Sequence, residues 1–184
     1  MAAADDVAEH AALVAQLDAL FPQVENAARL LIDAYEHGGR VISFGNGGSA
    51  ADAQHLTGEL VGRFARERRP LSAIALSVDP SVVTCIANDY SFDDVFARQV
   101  EAHARPGDVA VGYTTSGRSE NVLRGLRAAR TAGASTIVFT GAGGSAELAD
   151  VALVVPSSST ARVQELHLLL MHLIVEQVDR WAAT

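Results

Sequence analysis

Apolar and polar positions divide the chain into two patterns. Up to residue 37 the apolar positions recur at helical spacing. Val7, Leu13, Val14, Leu17 and Leu20 mark an amphipathic helix over 4–20, and a second runs from Pro22, which suits a first helical turn, to about His37. Gly38 and Gly39 are placed to stop it. From residue 40 the pattern changes. Short apolar runs at 41–44, 71–76, 109–113, 136–140 and 151–155 read as strands of the buried type. Helical stretches at 50–60, 81–87, 93–103 and 120–132 separate them, with a short helix before the fifth strand and a long one over 162–181. Alternating strands and helices predict a parallel five-stranded sheet with helices on both faces. Ligands then belong at the carboxyl ends of the strands.

Two loops of small residues lie at such ends. The first, Gly45-Asn46-Gly47-Gly48-Ser49, runs into a helix that carries His55 and Glu59. Glycines let backbone N–H groups turn toward an anion, and the helix N-terminus adds partial positive charge. The i, i+4 spacing puts His55 and Glu59 on one face, either as an acid/base or metal pair or as ordinary solvated polar residues. The second loop, Thr114-Thr115-Ser116-Gly117-Arg118-Ser119, offers four hydroxyls ahead of a helix. One hydroxyl suffices for an N-cap, and Ser119 suits that role. Four exceed it and suit a phosphate. A third loop, 141–145, is also glycine-rich. His172 sits in an apolar helical run, where a histidine is commonly a packed core or interface residue, and Gln164 lies eight residues before it on roughly the same side.

Gly45, Gly47 and Ala50 fit a G-x-G-x-x-A dinucleotide pattern. The acidic residue expected about 20 residues later is missing, and Asp79 comes too late. No nucleotide cofactor is expected. A net charge of −8 argues against nucleic acid as the main partner. All 14 basic residues are arginine, which excludes Schiff-base, pyridoxal phosphate and Walker-type lysine chemistry. The arginines at 63, 66, 68 and 69 read as a solvated helix end, with Arg63 on the Glu59 face. Cys85, the sole cysteine, reads as structural and fits a reducing compartment. The N-terminus shows no signal-peptide pattern, and the apolar stretch 166–178 is broken by His167, His172, Glu176 and Gln177. A cytoplasmic chain with no membrane partner is expected.

Six blocks in order carry a more specific signal: Gly45-Asn46-Gly47-Gly48-Ser49; Asp52-Ala53-Gln54-His55; Glu59-Leu60-x-Gly62-Arg63; Ala87-Asn88-Asp89; Thr115-Ser116-Gly117-x-Ser119; and Arg162-x-Gln164-Glu165-x-His167. Together they resemble the sugar isomerase (SIS) domain family, and within it the phosphoheptose isomerases, over essentially the whole chain. The resemblance implies a single SIS domain over 1–184 with a flavodoxin-like sheet. It also implies a homotetramer, in whose packing the extension 1–38 would serve. It implies conversion of sedoheptulose 7-phosphate to D-glycero-D-manno-heptose 7-phosphate through an enediolate, with Glu59 and His172 as the acid/base pair. Ser116, Ser119, Thr115 and Thr114 would hold the phosphate; Asn46, Gly47, Gly48, Ser49, Asp89 and Gln164 would line the sugar pocket. Some members bind zinc there, and the matching positions are His55, Glu59, Gln164 and His172.

Four positions depart from the pattern: Thr114 for Ser, Arg118 for Asn, Ala161 for Asp and Phe44 for Cys. Arg118 and Ala161 bear on which sugar is used, so an isomerase of another phosphosugar is one alternative. The other is a non-catalytic relative that binds a replication-initiator protein. Such relatives lack the glutamate and histidine, both of which stand here.

Overall fold

Strand β1, Val41–Gly45, is buried at every position. It pairs in parallel with β2, Ala73–Ala75, on one side and with β3, Val109–Thr114, on the other. Strands β4, Ser135–Thr140, and β5, Val151–Val154, complete a sheet of order β2-β1-β3-β4-β5, all parallel. This is the flavodoxin-like order, whose reversal point lies between β1 and β3. The computed structural model describes every residue except Met1, Ala2, Ser145, Ala146 and Leu148. The short helix expected before β5 falls on residues outside that set.

The period-2 alternation of the strands sorts side chains onto two cores. Val41, Val109, Val111 and Tyr113 face one side, which helices α2 (Phe21–Glu36), α3 (Gly48–Val61) and α7 (Thr160–Ala182) cover. Ile42, Phe44 and Ala110 face the other, under α4 (Pro80–Asp89), α5 (Ala97–His103) and α6 (Glu120–Thr131). Both faces are covered, so the strands read as continuous apolar runs. Among the described residues no helix is long and apolar enough to cross a membrane.

Local chemistry explains where the elements depart from the expected bounds. The leading helix over 4–20 is split into α1, Ala3–Val14, and a 3-10 turn, Leu17–Leu20. Within that turn the Asp18 carboxylate accepts the Ala19 N–H, competing with the helical ladder. The stretch 93–103 likewise splits, because Ser91 caps a separate 3-10 turn over Phe92–Asp94 before α5. Strand β2 is shorter than 71–76 because the Leu71 N–H bonds to Leu60 at the end of α3. Helix α2 spends its apolar face on the chain's own core, through Val24, Ala27, Ala28, Leu31 and Tyr35, whereas α1 buries only Leu13. Cys85, expected in a structural role, is exposed and donates to Asp89.

Phe44 packs because α6 makes room for it. A Cβ at Gly125 would stand 2.8 Å from the Phe44 ring and 3.1 Å from Phe96, and the two rings stack with centroids 5.2 Å apart. Alanine at Gly125 would gain about 1 kcal/mol of helix propensity but overpack this contact. We expect Gly125→Ala to lower the urea unfolding free energy by about 1–2 kcal/mol, and the added Phe44→Leu change to restore it; a stabilised Gly125→Ala would contradict the close approach.

Candidate active site

The two small-residue loops leave β1 and β3 side by side at the reversal point of the sheet, and one contact ties them together. Asn46 in the first loop and Asn121 in the first turn of α6 exchange reciprocal amide hydrogen bonds of 2.8 and 2.9 Å. The Asn46 side chain, expected to touch substrate, is thus engaged in bracing the loops. Asn121 is buried and also accepts the Val122 N–H. Ser49 is buried in the first turn of α3, and its N–H bonds to the Asn46 carbonyl.

Helix α3 starts at Gly48, two residues before the expected position, with Gly47 as its N-cap. Gly48 packs against α7: a Cβ there would fall 2.5 Å from the Gln164 amide nitrogen. That approach sets Gln164 against the first loop, and a side chain at Gly48 would push the Gln164 amide aside. In the second loop Thr114 Oγ1 donates to Ser119 Oγ at 3.1 Å, and Ser116 Oγ accepts the Arg118 N–H at 3.2 Å. Ser119 occupies the N-cap of α6 without a side-chain capping bond, so its hydroxyl serves something other than the cap. Gly117, at φ 68°, lets the loop press on the third loop, where its Cβ would meet Gly144 Cα. Gly141 N–H bonds to the Thr115 carbonyl and fastens the same two loops.

Side chains from α3 and α7 converge further along, where Glu59 stands eleven residues past Gly48, about 16 Å along the helix. His55 Nε2 lies 2.9 Å from Glu59 Oε1, and His172 Nε2 lies 3.5 Å from His55 Nε2. The two imidazoles meet edge to face with centroids 5.1 Å apart, and Phe64 flanks His172. One ligand atom from each of His55, Glu59 and His172 lies within 4.8 Å of the other two. Glu59 is partly buried and His55 is more open. Burial first, and then His55, holds the His172 imidazolium below its ordinary pKa, against the opposing pull of Glu59. That direction favours the neutral imidazole, which can both accept and donate a proton.

Not every expected residue joins this group. Asp89 ends α4 and bonds within that helix, to Asn88 and Cys85. Arg63 is exposed and faces Glu67. The arginine cluster is not simply a solvated helix end, because the Arg68 side chain is fully buried against Asp179. Sequence reasoning singled out neither Asn121 nor the Arg68–Asp179 pair. A buried asparagine at the start of α6 was the only local signal for the first; the second joins residues 111 apart in sequence and left none.

Beneath the group, Asp52 Oδ2 and the Tyr113 hydroxyl are buried with no hydrogen-bond partner among the described residues. Burial raises the Asp52 pKa to about 6, with His55 opposing.

Comparison with known proteins puts this sheet, its two small-residue loops and its histidine–glutamate–histidine group in the SIS class of phosphosugar isomerases. The chain belongs to the SIS-domain family, whose model matches residues 7–141, and within it to the phosphoheptose isomerases. It is 54% identical to the phosphoheptose isomerase of Aquifex aeolicus over 159 residues, 85% of this chain and 83% of that one. The structure of the Neisseria gonorrhoeae phosphoheptose isomerase superposes with a TM-score of 0.91 at 40% identity, covering 96% of each chain. That of Francisella tularensis gives 0.90 at 35% identity, covering 98% of this chain and all of the other.

The raised Asp52 pKa has a direct consequence for stability. The folded carboxyl binds its proton more tightly than the unfolded one, so the fold loses stability as pH rises from about 4 through 6. Asp52→Asn removes that loss. The difference in Tm, variant minus wild type, should become more positive between pH 4 and 7 and then level off. A difference independent of pH would contradict the burial assigned to this carboxyl.

Proposed function

We propose that this enzyme interconverts sedoheptulose 7-phosphate and D-glycero-D-manno-heptose 7-phosphate by proton transfer through an enediolate. The observation that carries the reading is the convergence of Glu59, His55 and His172 in a chain that also presents a hydroxyl-rich loop at the carboxyl end of β3. Thr114, Thr115, Ser116 and Ser119 would hold the phosphate with neutral donors. The N-terminal end of α6 assists them. Gly47, Gly48, Ser49 and Gln164 would line the sugar, Asn46 would hold the loop on which they sit, and Asp89 is assigned to the pocket by the family pattern.

In the ketose-to-aldose direction the Glu59 carboxylate takes a proton from C1. The C–H electron pair becomes the C1–C2 double bond, and the carbonyl pair moves to O2. Neutral His172 carries a proton between O1 and O2. The carbonyl then forms at C1, and Glu59 returns a proton to C2. The steps balance with no external oxidant or reductant.

His55, Glu59 and His172 would also hold a zinc ion, whereas Gln164, set against Gly48, stands about 12 Å along α7 from His172 and does not join them in this chain. The donor set fits, with three ligand atoms mutually within 4.8 Å, the number a zinc site with an open position uses. Such an ion, when bound, polarises a carbonyl and stabilises enediolate oxygens. A glutamate that ligates an ion tightly is not free as a base, so the proton route above belongs to the unligated carboxylate. The intact Glu59 and His172 favour an enzyme over a non-catalytic binding protein. A homotetramer follows from the family, and Val7, Val14 and Phe21, left exposed near the N-terminus, are suited to such packing.

Glu59→Gln should lower kcat by two to four orders of magnitude while inorganic phosphate inhibits with an unchanged constant. Aldose formation is followed by NMR, with and without a chelator. Undiminished turnover in Glu59→Gln contradicts its role. Loss of wild-type turnover on chelation gives the metal a part in the reaction. A kcat/KM higher for a hexose or pentose phosphate than for sedoheptulose 7-phosphate would replace the substrate.

A further inference from the structure

We propose that Arg68 and Asp179 are positioning residues for proton transfer: their buried ion pair fixes the last turn of α3, and with it Glu59, against the helix that carries His172. The proposal rests on the isomerase reading given above. Both side chains are completely buried. Asp179 Oδ1 accepts from Arg68 Nε at 3.1 Å, and Oδ2 accepts from the Arg66 backbone N–H at 3.0 Å and from Arg66 Nη1 at 3.3 Å. Arg68 then turns its remaining donors onto α3. Nη2 bonds to the carbonyl of Glu59 at 2.5 Å, and Nη1 bonds to that of Leu60 at 2.9 Å.

The last carbonyls of a helix have no partner within it. Gly62 N–H takes the Gly58 carbonyl, and the guanidinium takes the next two. It thus acts on the peptide unit of Glu59 itself. Asp179 stands two turns beyond His172 on α7, on the same face. The connections close a ring: His172 along α7 to Asp179, across to Arg68, onto the Glu59 carbonyl, and through the Glu59 and His55 side chains back to His172.

Adhesion between helices does not need charge. Desolvation can cancel the attraction of a buried ion pair, and packed apolar residues often hold as well. What apolar residues lack is direction. A planar guanidinium meets one carboxylate oxygen and three carbonyls, those of Glu59, Leu60 and Arg69, from fixed angles at once, and a lysine ammonium does not. The segment is strapped further along by Arg69 over the Trp181 ring at 5.3 Å and by Trp181 Nε1 donating to Glu36 at 3.1 Å. Those contacts lie beyond the reach of Glu59.

The test is Arg68→Lys, which keeps the charge facing Asp179 and loses the fork. In protein with wild-type circular dichroism, kcat should fall tenfold or more. KM and the inhibition constant of inorganic phosphate should stay within twofold, because the phosphate loop is untouched. A kcat within twofold of wild type overturns the proposal. Should Arg68→Lys not fold, the double change Arg68→Met with Asp179→Leu replaces the pair by apolar packing. A folded double variant with the same isolated loss of kcat supports positioning. Wild-type kcat in that variant, or failure of both to fold, makes the pair a stability element and overturns the proposal. Glu59→Gln is assayed alongside: if it keeps full turnover, the isomerase reading itself fails. If only Glu59→Gln is impaired, the failure belongs to Arg68.

Discussion

The parallel pairing of β1 with β3 is the constraint on which the site depends. Their register sets Phe44 opposite Gly112 and Gly45 opposite Tyr113, so both strands end level and both small-residue loops leave from one edge. Because the order reverses between them, the helices that follow, α3 and α6, lie on opposite faces of the sheet, and the crevice between them stays open. The reciprocal amide bonds of Asn46 and Asn121 hold that crevice at a fixed width. Hydroxyls line the β3 side of it, whereas the titratable group lies further along, in the later turns of α3.

The second constraint is the seating of α7 on α3. Gly48 admits Gln164 at one end, and Arg68 with Asp179 fastens the other. His55, Glu59 and His172 meet between these points. Assembling them leaves polar atoms in the core: the Tyr113 hydroxyl and Asp52 Oδ2 lack partners among the described residues, and burial holds the His167 pKa down to about 4. Buried groups of this kind cost stability, and sites that perform chemistry are where such concessions are concentrated.

Much of this was legible in the residues themselves. The apolar runs gave five strands and the alternation gave their parallel arrangement, because a sheet covered on both faces must be apolar throughout. His55 and Glu59 could be paired from i, i+4 spacing alone. His172 could not be joined to them by spacing, since more than a hundred residues intervene; the family resemblance supplied that link. Elements were misjudged where a side chain competes with the backbone, as Asp18 and Ser91 do. The arginine run 63–69 was misjudged because its meaning depends on Asp179, a distant residue. A charge count cannot tell a solvated guanidinium from one that takes three helix and loop carbonyls.

The most direct test of proton transfer at Glu59 is the fate of the carbon-bound hydrogen. Sedoheptulose 7-phosphate would be converted in deuterium oxide and both sugars examined by NMR. An enediolate formed by a carboxylate base predicts deuterium at C2 of the aldose and at C1 of the recovered ketose, with neither appearing when Glu59→Gln replaces the wild-type enzyme. Undiminished deuterium incorporation with Glu59→Gln would contradict the role assigned to Glu59.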